Sequence, residues 1–217
     1  MRQTRRYSVQ KSDELNVWIS LSDLMAGSLL ILSLMSFLFF AFTILSKKKE
    51  ELRSDVPPII IIPDDKAFRF PIGSAQLSQP LRQYIWGSLT QTIVTNRRKY
   101  KIDTIEVIGH TDGQPNQVPN GNLDSLLENS VAVKKLDSLV PSSNVDLGLM
   151  RALAITIELY KVQTKKSELK GLQFRAYSAG QLYLPNGSFA LPDRNPDNSR
   201  RRIEVRFIRS ATTKVVK

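Results

Sequence analysis

The chain has 217 residues, a formal net charge of +11, no cysteine and a single histidine, His110. This composition excludes disulfides, thiolate metal sites, cysteine nucleophiles and His-rich metal clusters. The length allows one membrane segment and one ordinary domain, and the basic balance suits nucleic acid, anionic lipid, an acidic polymer or simply a solvated surface.

Residues 1–14 are polar and too short to fold alone. Residues 15–22 bring Trp18, an amphipathic ring suited to a membrane interface. From Leu24 to Leu45 there are 22 residues without a charge. As a helix they span roughly 33 Å, against a hydrocarbon core of about 30 Å. The run is too long for a signal-peptide core, ends in Phe39, Phe40, Phe42 and Ile44, and leads into Lys47, Lys48 and Lys49. It reads as an uncleaved transmembrane helix over 18–46, with 1–17 as a preceding segment. Arg2, Arg5, Arg6 and Lys11 precede the run, and Lys47, Lys48, Lys49 and Arg53 follow it. The flanks balance, so the charge rule leaves orientation open.

The helix is expected to start near Trp18, which places Asp23 about one turn inside. Helical spacing puts Asp23 on a face with Ala26, Gly27, Leu30, Leu34, Phe37 and Ala41. Ala26, Gly27 and Ser28 permit close helix approach, and Ser22, Ser33, Ser36 and Thr43 add polarity that a plain lipid anchor does not need. This pattern points to a bundle. A carboxylate at membrane depth is costly when charged, so one that is wetted and then desolvated can take up and release a proton. Asp23 equally suits the end of a helix at the interface. The chain supplies no second buried acid, so any proton path needs a partner subunit.

Residues 47–64 read as a short linker. It begins with a helical extension that Pro57 and Pro58 end, and it closes on the compact strand PIIIIP. Phe68–Gly73 reads as strand and turn. Leu77–Thr95 is an amphipathic helix through Leu81, Ile85, Leu89 and Ile93. Ile102–His110 is a strand, followed by a polar, turn-rich stretch and a short helix within Leu123–Leu139. Asp146–Val162 is a helix with Asn144 or Asp146 as its cap. Leu172–Ala179 is a strand, a Pro/Asn/Gly-rich loop reaches Asn198, and Arg202–Arg209 is the last strand, with Ile203, Val205 and Phe207 on its apolar face. The expected fold is α/β: one transmembrane helix, then a sandwich of helices on a small mixed sheet. No repeat, P-loop, zinc spacing or nucleotide fingerprint is present.

Four segments carry a family resemblance. They are Phe70 to Gly73 (F-x-x-G); Gly109, His110, Thr111 and Asp112 (G-H-T-D); Asn144, Leu147, Arg151 and Ala152 at the start of the long helix; and Arg201 to Val205. Together, in this order, they resemble the OmpA-like peptidoglycan-binding domain over about 65–208, with 211–217 as a tail. The resemblance implies that Asp112 and Arg151 grip the zwitterionic end of the diaminopimelate side chain. A carboxylate would meet the ammonium and a guanidinium would fork onto the carboxylate. Thr111, Asn144 and Leu147 would shape the groove, and Arg202 would contribute from the last strand. The chain departs from the family in three places. Gly113–Ser143 is a 31-residue insertion, Gly148 stands where a serine is usual, and Arg200 stands where an asparagine is usual. The insertion could cover the groove in an inactive state.

An N-terminal helix with S-D-L-M-A-G near its start, ahead of such a domain, is similar to the B subunit of the flagellar stator, whose corresponding Asp accepts the proton. The short linker, the insertion and D-L-G-L-M-R-A (Asp146 to Ala152) resemble most the ZorB family of the Zorya anti-phage defence system. This resemblance implies a single-pass protein of the bacterial inner membrane, N-terminus cytoplasmic and domain periplasmic. It would be a homodimer inside a ring of multispanning A-type motor subunits, five around two. Asp23 would carry the ion, and the wall-binding domains would hold the pair still while the ring turns and signals to cytoplasmic effectors. No enzymatic activity, cofactor, metal or direct nucleic-acid contact is expected. The alternatives are a flagellar-type or other stator subunit, and a passive wall tether in the membrane.

Overall fold

The computed structural model of the chain describes residues 3–54, 56–116, 118 and 120–210, with side chains of the first helix described for 18–47. The tail at 211–217 and the side chains of the charged flanks at 2–11 and 48–53 lie outside the described residues. The chain divides into two compact units, Met1–Asp55 and Val56–Lys217.

The first unit is one helix, α1 (Gln3–Ser54). It does not start near Trp18 as expected. Residues 3–17 contain no proline or glycine to stop it, and it ends ahead of Pro57 and Pro58. Within it, Trp18–Lys47 is long and apolar enough to cross a membrane, with mean hydropathy reaching 2.4. Its large apolar side chains are exposed, Leu24 at 71% and Phe39 at 72%. Such a surface calls for lipid or other helices around it. Two of its hydroxyls are satisfied within the helix. Ser28 Oγ donates to the Met25 carbonyl at 2.9 Å, and Thr43 Oγ1 donates to the Phe40 carbonyl at 2.7 Å. Neither needs a neighbouring helix as partner.

The second unit is a two-layer α/β domain. Its strands are β1 (Ile60–Pro63), β2 (Thr104–His110), β3 (Gln173–Gly180) and β4 (Arg202–Ile208), in the order β1-β4-β2-β3. β2 and β3 are parallel, and β4 runs antiparallel to both β1 and β2. The helices are α2 (Gln79–Tyr84), α3 (Thr90–Tyr100), α4 (Leu123–Ala132) and α5 (Asn144–Lys165). A π-helical turn, Ile85–Leu89, joins α2 to α3, so the amphipathic helix expected at Leu77–Thr95 is one rod with a widened middle.

Alternation builds the core. Ile62, Ile105, Val107, Ile203, Val205 and Phe207 point from the sheet to one side. There they meet Leu81, Ile85, Leu89 and Ile93 from the α2–α3 rod and Ala152, Ile155, Leu159 and Val162 from α5. Burying each such aliphatic side chain stabilises the fold by about 1.5–3 kcal/mol. The insertion has a small core of its own, in which Leu123 and Leu139 pack with Ala75 and Met150. Asn122 stitches its two ends: Nδ2 donates to the Ser138 carbonyl at 2.8 Å, and Oδ1 accepts from the Val140 amide at 2.8 Å.

Within 47–64, α1 runs on to Ser54 ahead of Pro57 and Pro58 and Ile60–Pro63 forms a strand, both as expected, and the strand pairs with β4 at the sheet edge. Two other features differ from expectation. Phe68–Gly73 is not a strand. Lys66–Phe68 forms a 3-10 turn, and the Phe70 amide donates to Asp64 Oδ1 at 2.6 Å, a side chain taking the place of a ladder partner. The cap of α5 is Ser143, whose Oγ accepts from the Asp146 amide at 3.1 Å while the Ser143 amide donates to Asp146 Oδ2 at 3.0 Å. Asn144 and Asp146 are inside the first turn, and Asn144 is thereby free to turn its amide elsewhere.

Candidate functional site

The groove is assembled from four chain segments by the same alternation that builds the core. On β1, Ile62 faces inward, and Asp64, two residues on, lies on the same side. On β4, Ile203 faces inward, and so does Arg201 just before the strand. β2 delivers Thr111 and Asp112 past its end, and the first two turns of α5 deliver Asn144, Leu147 and Arg151. Together they line a cavity of about 710 Å³, closed further by Phe70 and by Gln114–Asn116 from the insertion.

Four buried or nearly buried charges alternate along its wall. Arg151 Nη1 lies 3.3 Å from Asp64 Oδ2, Arg201 Nε lies 3.5 Å from the same oxygen, and Arg201 Nη1 donates to Asp112 Oδ2 at 3.1 Å. Arg151 Nε also donates to the Ser74 carbonyl at 3.1 Å, and its guanidinium stands 5.0 Å from the centre of the Phe70 ring. Burial first, and then the nearby Arg201, lowers the Arg151 guanidinium below its ordinary value, with Asp64 and Asp112 opposing.

Asp112 accepts from three backbone or side-chain donors. They are the Gln114 amide on Oδ1 at 3.4 Å, and the Asp197 amide at 3.3 Å and Arg201 on Oδ2. Asn144 Nδ2 donates to the carbonyls of Asp112 at 3.3 Å and Gln114 at 2.8 Å, tying α5 to the β2 turn. Thr111 is 2% exposed, and its Oγ1 has no partner among the described residues. The arrangement offers paired carboxylates and paired guanidinium forks along one wall, with an aromatic ring beside them. It is suited to a small zwitterion.

No family model and no curated protein matches the chain. Among solved structures, a protein described as MotB-like from Desulfovibrio vulgaris is 13% identical, with a TM-score of 0.41. That match covers 70% of this chain and 75% of that one. The periplasmic domain of Helicobacter pylori MotB is 20% identical, with a TM-score of 0.42 over 70% of this chain and 76% of that one. These scores describe a loose likeness of shape.

Of the residues singled out in the sequence, Thr111, Asp112, Asn144, Leu147 and Arg151 come together in this groove. Arg202 does not. It projects to the other side of the sheet, where Nη2 donates to Glu204 Oε1 at 2.9 Å and to the Leu184 carbonyl at 3.2 Å. Nη1 reaches the Tyr183 carbonyl at 3.3 Å, so Arg202 fastens the loop after β3. Its neighbour Arg201 takes the groove position. Asp23 is on α1, exposed, in the other unit.

Asp64 and Arg201 were not singled out as ligand-binding residues. The signal for both was strand alternation carried one step beyond the apolar positions. The insertion does not simply lie over the groove. Gln114–Asn116 wall one end, while Leu123 and Leu139 pack on Met150 of α5 and on Ala75. The missing serine at 148 has a steric reason. A Cβ on Gly148 would meet the Ser178 hydroxyl and lie 2.9 Å from the Gly109 carbonyl, because α5 crosses β2 with the two glycines face to face. Arg200, in place of asparagine, donates from Nη2 to the Gln181 carbonyl at 2.6 Å and braces the same loop as Arg202.

Proposed function

We propose that the chain is the B-type subunit of an ion-driven rotary membrane motor, anchored to wall peptidoglycan through the Asp64–Asp112–Arg151–Arg201 groove. The observation that carries this reading is the alternating row of carboxylates and guanidiniums on a cavity wall. Arg151 and Arg201 accept the carboxylate of a zwitterionic diaminopimelate end, and Asp112 accepts its ammonium. The ligand's two charges substitute for internal ion-pair partners, so the buried charges stay compensated on binding. With the groove held in the periplasm by the wall, α1 crosses the inner membrane and its N-terminus is cytoplasmic.

A helix joined to a wall-held domain can be kept still while other subunits move. Asp23, exposed on α1 above Ala26 and Gly27, is the residue we assign to ion carriage. It would take up and release a proton against a surrounding ring of multispanning A-type subunits, five around a pair of this chain. α1 ends at Ser54 and the first strand begins at Ile60. This short connection, together with the folded insertion at 113–143, favours the ZorB type of anti-phage Zorya motor over a flagellar stator. Ring rotation would then signal to cytoplasmic effectors.

The test is Asp23→Asn in the assembled membrane complex, read as proton flux and as protection against phage. The expected result is loss of both, with assembly and wall binding retained. Unchanged flux removes the ion-carrying role and leaves a wall tether.

A further inference from the structure

A second cavity, about 720 Å³, lies between the insertion, α5 and the segment Gly73–Leu77. Its floor is apolar, formed by Leu136, Leu139, Met150, Ala154 and Ile157. Its rim is charged. Glu158, 5% exposed at the base, accepts from Trp86 Nε1 at 2.8 Å, Arg82 at 3.1 Å and Lys161 at 3.1 Å. These contacts outweigh its burial and hold its carboxyl below the ordinary range. They also occupy Arg82 and Lys161. Lys134 and Lys135, from the insertion, are exposed on the rim beside Asp137 and hold no ion pair among the described residues, and Lys134 Nζ stands 5.6 Å from the centre of the Tyr160 ring.

Gly73 is the one described residue lining both cavities. Its φ is +65°, and nothing lies within 4 Å of where its Cβ would stand. The two cavities therefore share this residue as a common edge, and the space beside its Cα is free of residues other than its chain neighbours. The next residue, Ser74, has its carbonyl held by Arg151. One short segment thus forms the edge of both spaces.

We propose that this second cavity is an extension subsite for the acidic peptide that carries the zwitterion held in the groove. Lys134 and Lys135 would pair with a backbone or side-chain carboxylate of that peptide. Leu136, Met150 and Ala154 would receive its short alkyl side chains, and the chain would pass over Gly73. The inference rests on the wall-binding reading of the groove. It adds that the insertion is part of the binding surface and sets preference for a longer anionic ligand.

The probes are free meso-diaminopimelate and the stem tripeptide L-Ala-γ-D-Glu-meso-diaminopimelate, titrated against the full chain in detergent. Wild type should bind the tripeptide more tightly than the free amino acid. Lys134→Glu with Lys135→Glu should weaken the tripeptide roughly tenfold and leave diaminopimelate unchanged. Gly73→Asn, which tolerates positive φ but adds a side chain between the two cavities, should weaken the tripeptide more than it weakens diaminopimelate. Equal tripeptide binding by wild type and both variants overturns the subsite while the groove stands. Failure of both probes to bind wild type overturns the groove reading and the subsite with it.

Discussion

Arg151 Nη1 lies 3.3 Å from Asp64 Oδ2, with both side chains buried. This pair links the start of α5 to the end of β1, and it is also the inner half of the groove's charged wall. Removing Asp64 leaves Arg151 without its nearest carboxylate, and removing Arg151 leaves Asp64 in the interior with only the more distant Arg201 Nε at 3.5 Å. Arg151→Ala is therefore expected to destabilise the domain by about 3–5 kcal/mol. Joint replacement, Arg151→Met with Asp64→Leu, should cost much less than the sum of the two single changes. Denaturant unfolding of the four members of the cycle checks this. Additive losses would show that the pair is not coupled.

The two adjacent arginines before and at the start of β4 should differ in their effect on binding. Arg201→Gln is expected to weaken wall-fragment binding and also to cost stability, because buried Asp112 loses the guanidinium beside it. Arg202→Gln should lower stability alone. It leaves Glu204 short of a partner and releases the carbonyls of Tyr183 and Leu184, which lowers stability by about 1–3 kcal/mol, while the groove is untouched. Parallel titration and thermal melts of the two variants read both effects.

This arginine pair also shows how far the sequence could be read. Helices on a small mixed sheet follow from apolar periodicity, apart from the strand expected at Phe68–Gly73, and five residues of the groove follow from four short motifs and the resemblance they carry. The assignment of Arg202 to the groove does not follow. Setting Ile203, Val205 and Phe207 inward already sends Arg202 outward and brings Arg201 in, because strand side chains alternate. The same rule carried from Ile60 and Ile62 reaches Asp64. What periodicity could not supply is the path of irregular chain. The Phe70 amide turning onto Asp64, and the fold of the insertion around Asn122, depend on side-chain contacts distant in sequence. Ser143 was overlooked as the cap because Asn144 and Asp146 are equally good cap types. Only the reciprocal bond between Ser143 and Asp146 decides among them.

Glycine in a helix interior is ordinarily worth replacing, since alanine gains about 1 kcal/mol there. At Gly148 the sign should invert. α5 presses its backbone onto Gly109, and any Cβ would collide with the Ser178 hydroxyl. Both Gly148→Ala and Gly148→Ser are expected to destabilise by about 1–3 kcal/mol, even though serine is the residue common in the family the motifs resemble. Ser178→Ala should relieve part of the loss, which chemical denaturation of the double variants would show.

His110 is 3% exposed, and neither ring nitrogen has a well-aligned hydrogen bond, although Nε2 stands 3.1 Å from Glu204 Oε1. Burial first, then Arg202 and Arg206, pushes its pKa down to about 4, with Glu204 opposing. The unfolded chain protonates this histidine near the ordinary 6.5, before the folded one does. Stability should therefore fall as pH drops from about 6.5 towards 4, with uptake of one proton on unfolding in that window. His110→Leu should flatten this dependence and leave stability at pH 8 nearly unchanged. A pH series of melts on the two proteins tests it, and parallel curves would contradict the buried neutral histidine.

The central claim is that the groove binds a zwitterionic wall peptide through charges it otherwise pairs internally. The most direct measurement is calorimetric titration of the full chain in detergent with the diaminopimelate stem tripeptide, comparing wild type with Asp112→Asn. The substitution keeps the size of the side chain, removes the charge that meets the ammonium, and replaces one of the two accepting oxygens by an NH2 group. The account predicts binding by wild type and at least about a tenfold loss in the variant, equivalent to about 1.4 kcal/mol. Equal affinity in the two proteins would contradict it.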